Sequence, residues 1–225
     1  EACLAYLGDV QRNLPAGLLD AARAEMASLE RQTGKRFGGG DDPLLVSVRS
    51  GSAMSMPGMM DTILNLGLNE TTLAALIRHT GNERFGYDAW RRFIQLFGKV
   101  ALGVPDALFD EQFEAVKSRV GVKQDVMLGA DELREIGERF LQVVQRHTGQ
   151  PFPADPYEQL EIAIKAVFNS WTGKRAIDYR REFKITPAMA NGTAVNIVTM
   201  VFGNMGNDSA TGVGFTRNPA TGENQ

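Results

Sequence analysis

A chain of 225 residues with 43% hydrophobic and 23% charged side chains has an ordinary globular composition, enough for a sizeable core, with no disorder signature. Its net charge of -3 and lack of any basic run argue against nucleic acid or an anionic membrane as partner, so any phosphate binding has to be local. A lone cysteine excludes an intrachain disulfide and no apolar stretch is long enough to span a bilayer, which makes the cytoplasm the default setting and leaves organelle import open.

From Leu14 to about Arg31 the apolar residues Leu18, Ala22, Met26 and Leu29 recur at helical spacing, and Gly34 stands where a helix stops. Gly38, Gly39 and Gly40 follow. Neither G-x-x-x-x-G-K-[ST] nor G-x-G-x-x-G spacing is met, so they read as a flexible connector and not as a phosphate cradle. Leu44 to Val48 is an apolar, β-branched run between turn formers, the pattern of a buried strand. Arg49 stands at its end, and the glycines, serines and methionines around Pro57 and Gly58 predict a loop.

Arg49 is the first candidate for chemistry. A guanidinium is costly to bury alone, and its planar, permanently charged donors match the oxygens of a phosphoryl group. Pairing with Asp41, Asp42 or Asp61 explains the same residue, and the residues alone leave both readings open. The methionines at 54, 56, 59 and 60 read either as adaptable packing or as part of a mobile lid. In the lid reading, backbone N–H groups and the hydroxyls of Ser52, Ser55 and Thr62 close on phosphates, and the glycines favour it.

Asn69 is a good N-cap for a helix carrying Leu73, Leu76 and Ile77. Further helices are marked by Trp90, Phe93, Ile94, Phe97 and Val100, by Leu108, Phe109, Phe113 and Val116, and by Leu133, Ile136, Phe140, Val143 and Val144. A last one carries Leu160, Ile164, Val167, Phe168 and Trp171. Aromatic stripes at this spacing belong to a core far more often than to a cofactor box. His79 and His147 each precede Thr-Gly near a helix end, a place that favours a cation, and Lys174, Arg175, Arg180 and Arg181 read as a solvated helix face. With one cysteine and two histidines there is no zinc-type spacing and no hydrolase triad.

Residues 193–203, TAVNIVTMVFG, predict a long strand, and TGVGFT at 211–216 predicts a second strand returning as a hairpin. The fold class is α+β, with a large helical insert between strands of one sheet. Residues 1–68 hold the first part of one lobe, 69–174 a helical subdomain, 175–203 the return to the first lobe, and 204–225 the start of a further lobe. A first residue other than methionine reads as a segment of something longer.

Four blocks carry a resemblance: S-V-R-S-G at 47–51, S-M-P-G-M-M-D-T-I-L-N-L-G at 55–67, T-M-V-F-G-N at 199–204 and F-T-R-N-P-A-T-G-E at 215–223. In order and spacing they resemble the nucleotide-binding domain of the pyruvate phosphate dikinase family, over nearly the whole chain. The resemblance implies part of an ATP-grasp fold that holds ATP and Mg2+. The implied reaction converts ATP, phosphate and pyruvate into AMP, pyrophosphate and phosphoenolpyruvate, through a phosphoryl group delivered to a histidine on another domain of the polypeptide, beside a pyruvate-binding domain.

The resemblance also assigns the ATP phosphates to Arg49, Ser50, Gly51, Ser52, Asp61, Thr62 and Arg217, with capping of its own turn as the alternative for Arg217. It makes Thr199, Met200 and Val201 an adenine hinge. Family members often carry glutamine where this chain has Val198, so base selectivity would rest on the backbone. The family's phosphate-binding lysine would precede Glu1 and its acidic metal ligands would follow Gln225. Neither histidine lies in a T-x-x-x-G-G-x-x-x-H-A motif. No residue here is therefore implied as catalytic or metal-binding, and the chain alone is expected to be inactive. A phosphoenolpyruvate synthase-type domain is the neighbouring alternative, although the block at 55–65 has the dikinase form. A non-catalytic helical interaction module is the alternative from another class, separated by whether ATP binds saturably with magnesium.

Overall fold

The computed structural model describes residues 1–224; Gln225, the last residue of the expected closing segment, lies outside them. Helix α1 (Ala2–Gly8) turns Cys3 and Tyr6 inward, and α2 (Leu18–Thr33) ends on Gly34 in the left-handed region. Strands β1 (Arg36–Phe37) and β2 (Pro43–Leu44) pair in parallel around the glycine turn. That turn is fitted and not slack. Gly38 and Gly40 have φ of 75° and 81°, and a Cβ on Gly38 would lie 2.2 Å from Pro156 Cγ.

Strands β3 (Val46–Gly51), β4 (Thr62–Leu66) and β5 (Ala194–Thr199) form an antiparallel sheet in the order β4-β3-β5. This corrects several expectations. The strand expected at 44–48 breaks at Leu45 and then runs on to Gly51, so Arg49 stands inside β3 and not at its end. Pairing on both edges carries the ladder past the apolar run, which a pattern of side chains cannot reveal. Strand β4 corresponds to no expected element: of its residues only Thr62 enters the lid reading, and Asn65 at φ 62° breaks its alternation.

The strand expected over 193–203 stops at Thr199, where the chain leaves the sheet for the helices. Phe202 packs edge-on to Phe85 at 5.1 Å, and Asn82 Nδ2 donates to Met205 O at 3.1 Å. The return strand expected at 211–216 does not form among the described residues; Val213 and Phe215 are exposed. With residues 200–205 drawn to the helices, it has no neighbour to pair with.

Helices α3 (Glu70–Thr80), α4 (Glu83–Ala101), α5 (Asp106–Val120), α6 (Ala130–Thr148), α7 (Pro156–Ser170) and α8 (Lys174–Glu182) fill the middle of the chain. Their starts are set by side chains. Asn69 and Thr72 form a reciprocal capping box, Asn82 accepts from Phe85 N, and Asp155 accepts from Glu158 N ahead of Pro156. The expected aromatic stripes are core: Phe93, Phe97, Phe109 and Phe140 are fully buried, and Phe109 meets Phe140 at 5.0 Å between ring centres. His79 and His147 lie in the last turns of α3 and α6, as expected. Among the described residues no helix is long and apolar enough to cross a membrane.

One side chain joins the sheet to the helices. Gln159, fully buried on α7, accepts from Gly67 N at 3.1 Å and donates to Leu68 O and Pro153 O, both at 2.9 Å. Gly67 N and Leu68 O lie just past the end of β4 and Pro153 O just before α7, and each left unsatisfied costs about 1–3 kcal/mol. Gln159→Leu is therefore expected to lower the urea unfolding midpoint by the equivalent of a few kcal/mol; an unchanged midpoint would show that other groups serve these positions.

Candidate functional site

Alternation along β3 separates two environments. Val46 and Val48 are fully buried, with Ile63 across from Val48. The opposite face carries Ser47, Arg49 and Gly51. There Arg49 stands between Thr62 on β4 and Asn196 on β5, while Ser47 faces Val198 and Gly51 faces Ala194. Arg49, Ala194, Asn196 and Val198 are exposed, so this face of the sheet is open.

Ser47 is 1% exposed and acts as the seat of the arginine. Its hydroxyl donates to Val198 O at 3.3 Å and accepts from Arg49 Nε at 3.2 Å. The terminal nitrogens of Arg49 make no hydrogen bond or ion pair among the described residues. The acids that could have neutralised it are engaged elsewhere or stand apart. Asp42 pairs with Lys35 at 3.0 Å and approaches His79 at 3.7 Å, Asp61 pairs with Arg175 at 2.8 Å, and Asp41 forms no ion pair among the described residues. A fixed guanidinium with unspent donors on an open sheet face is suited to an anion of several oxygens.

The loop at 52–61 joins β3 to β4 and folds back onto the core. Met56 is buried, and Met54, Met59 and Met60 pack against the core, so the methionines anchor the loop. Arg175 donates to Gly58 O at 3.3 Å and Asp61 Oδ1 at 2.8 Å. The basic cluster on α8 is thus not uniformly a solvated face. Arg175 clasps the loop, and Arg180 lies 4.0 Å over the Trp171 ring and donates to Trp171 O at 2.9 Å. Lys174 and Arg181 pair with Asp178 and remain exposed. Ser52 Oγ is buried with no hydrogen-bond partner.

The other expected positions divide. Thr62 stands directly across from Arg49, whereas alternation turns Ser50 to the opposite face, and Asp61 is committed to Arg175. Thr199 pairs with Val46, and Met200 N donates to Leu45 O at 2.8 Å. On its inner side the stretch from Thr199 to Phe202 borders a crevice of only about 30 Å³, while Val198 and Val201 are 49% and 89% exposed on the outside. Arg217 donates to Gly222 O at 3.3 Å within its own turn. Three side chains here have a place that the sequence did not give them: Ser47, which seats Arg49, Asn196, which stands across from it, and Arg175, expected on a solvated face.

A groove of about 680 Å³ between α1, α2 and the start of β5 includes Gly51 but has Glu1 and Glu25 as its only charged lining residues among those described. That charge is wrong for phosphates. No group of three His, Cys, Asp or Glu residues stands together to hold a metal ion among the described residues.

A mixed helix-and-sheet chain with an anion-ready arginine on its open sheet face is the class that these observations define. Residues 10–225 match the model of the family described as pyruvate phosphate dikinase, AMP/ATP-binding domain, and the chain belongs to that family. It is 58% identical over 224 residues to a pyruvate, phosphate dikinase of Entamoeba histolytica, covering 100% of this chain and 25% of that protein. It is 54% identical over 209 residues to that of Giardia intestinalis (93% of this chain, 23% of the relative). Against that of Rhizobium meliloti it is 49% identical over 224 residues (100% and 25%). The chain thus spans about a quarter of the length of these curated relatives.

The clasp on the loop can be tested. Arg175→Ala is expected to speed amide hydrogen exchange in residues 52–61 by roughly fivefold or more, as loss of a weak exposed contact allows, and to leave β3 unchanged. Equal protection in variant and parent would mean that the methionines alone hold the loop.

Proposed function

We propose that this chain is the ATP-binding part of a pyruvate, phosphate dikinase, and that Arg49 receives the nucleotide's phosphates. The observation that carries the reading is the guanidinium held by Ser47 on the open sheet face with its terminal donors unspent. Phosphoryl transfer spreads charge over several oxygens, and catalysis rests on positioning and neutralising it. Thr62 and the backbone N–H of Ser52 complete the phosphate cradle, Gly51 N–H being spent on Thr193 Oγ1 at 3.1 Å, and loop movement gives the buried Ser52 hydroxyl a partner. Asp61 serves by holding the loop through Arg175. Arg217 joins the phosphates on leaving its turn. In this reading the fold is part of an ATP-grasp, with residues 1–68 and 175–203 as one lobe, 69–174 as the helical subdomain, and 204–225 opening the next lobe.

The base lies on the exposed side of Thr199, Met200 and Val201, against Val198 and Val201. Because Met200 N–H is spent on Leu45 O, the Met200 carbonyl and Val201 N–H read the base. The described residues offer no carboxylate cluster for a metal, so Mg2+ accompanies the triphosphate and takes no seat in them. In the whole protein the phosphoryl group passes to a histidine of another domain and on to pyruvate, giving phosphoenolpyruvate, AMP and pyrophosphate.

Arg49→Ala in the full-length protein is expected to lower ATP-dependent phosphorylation roughly 10- to 100-fold, the worth of one charge-assisted contact. The thermal midpoint should shift little, since the side chain is exposed. Unchanged activity would remove Arg49 from the site. The 225-residue chain alone, given labelled ATP, magnesium, phosphate and pyruvate, is expected to form neither phosphoenolpyruvate nor a phosphorylated histidine. Either product above the blank would redirect attention to His79 and His147.

A further inference from the structure

The open sheet face holds a second unspent donor, and we infer that Asn196 is a phosphate-binding residue acting beside Arg49. The inference rests on the nucleotide reading above and extends it to a residue that the sequence motifs did not single out. Asn196 is directly opposite Arg49 in the β3–β5 register. Directly opposed residues on one face have Cβ atoms roughly 4.5–5.5 Å apart; with the guanidinium drawn toward Ser47 and the amide toward Gly51, an oxyanion seated between them is met by both once one side chain rotates. Asn196 is exposed, and its amide makes no hydrogen bond among the described residues.

The direction of the amide is informative. Asn196 Nδ2 lies 2.6 Å, and Cγ 3.3 Å, from the place where a Cβ on Gly51 would stand. The amide therefore leans over Gly51, toward the start of the 52–61 loop, and occupies space that only a glycine leaves open. On one side of it stands the guanidinium of Arg49; on the other the loop begins. An Asn amide offers two N–H donors, and a phosphoryl group offers several acceptor oxygens, so the pair forms a mixed charged and neutral clamp. Thr62 stands on the far side of Arg49 and completes a row of three side chains across the sheet.

Gly51 supplies an independent handle. Its φ lies outside the left-handed region, so alanine is tolerated by the backbone; the new methyl is crowded by the flexible Asn196 side chain and makes an ordinary contact with Ala194 Cβ at 3.5 Å. Gly51→Ala should fold and push the amide aside.

The experiment is calorimetric titration of the full-length protein with ATP and magnesium, and separately with adenosine. Asn196→Ala is expected to raise the Kd for ATP about tenfold, in line with one hydrogen bond to a charged group, with adenosine affinity unchanged. Asn196→Asp should weaken ATP at least as much, because its carboxylate pairs with Arg49 and repels the phosphates. Gly51→Ala should weaken ATP in the parent and add little in the Asn196→Ala background, since it acts through that amide. An unchanged ATP Kd in Asn196→Ala, or equal weakening of ATP and adenosine, overturns the inference. Arg49→Ala run in parallel keeps the two readings apart. If it weakens ATP while Asn196→Ala does not, only Asn196 leaves the site; if neither does, the phosphate reading of the whole face falls.

Discussion

The register of β3 is the constraint on which the rest depends. One face of this strand is sealed in the core by Val46 and Val48, and the other carries Ser47, Arg49 and Gly51. Because side chains alternate, a slip of one residue would drive the guanidinium inward and the valines into water. Two sets of contacts forbid it: the antiparallel ladders to β4 and β5, and the bond from Met200 N to Leu45 O at the strand's start. The position of the candidate phosphate ligand is therefore fixed by hydrophobic burial on the far side of the same strand.

The helical layer supports this arrangement from below through polar contacts that are few but buried. Gln159 satisfies the chain where it leaves β4. In α4, Asp88 is 6% exposed and pairs with both Arg91 and Arg92 at 2.8 Å. Arg91, also 6% exposed, lies 4.6 Å from the centre of the Phe113 ring on α5. Burial pulls the Arg91 guanidinium below its usual value, and the Asp88 carboxylate opposes that shift. Removing Asp88 would leave the buried Arg91 guanidinium without its carboxylate, whereas removing Arg91 leaves Asp88 its pair with Arg92.

Much of the fold was legible in the sequence where one period dominated. The aromatic stripes of α4 to α7 have a helical repeat, and the cap at Asn69 sits where such a side chain is expected. Arg49 was legible by its chemistry, since a cation next to an apolar run asks for a partner. What stayed hidden depends on pairing. Strand β4 holds Asn65 in the left-handed region at φ 62°, which breaks the alternation a reader would look for. Ser47 and Asn196 acquire meaning only when β5 is laid against β3, and Arg175 only when α8 returns to the loop. None of these contacts has a local signature.

The stacking of Arg180 on Trp171 has a practical consequence. The chain has two tryptophans. Trp90 sits among Phe93 and Phe152 in the helical core, remote in character from any charge, whereas Trp171 is at the α7–α8 junction under a guanidinium. Arg175 follows four residues later and bonds the loop at Gly58 O and Asp61, so the stack and the loop contact share the start of α8. An indole next to a cation emits with an energy set by the local field. The molecule thus carries an intrinsic optical probe at the foot of its loop, and with Trp90 replaced by phenylalanine the emission of Trp171 reports the surroundings of that stack without any label.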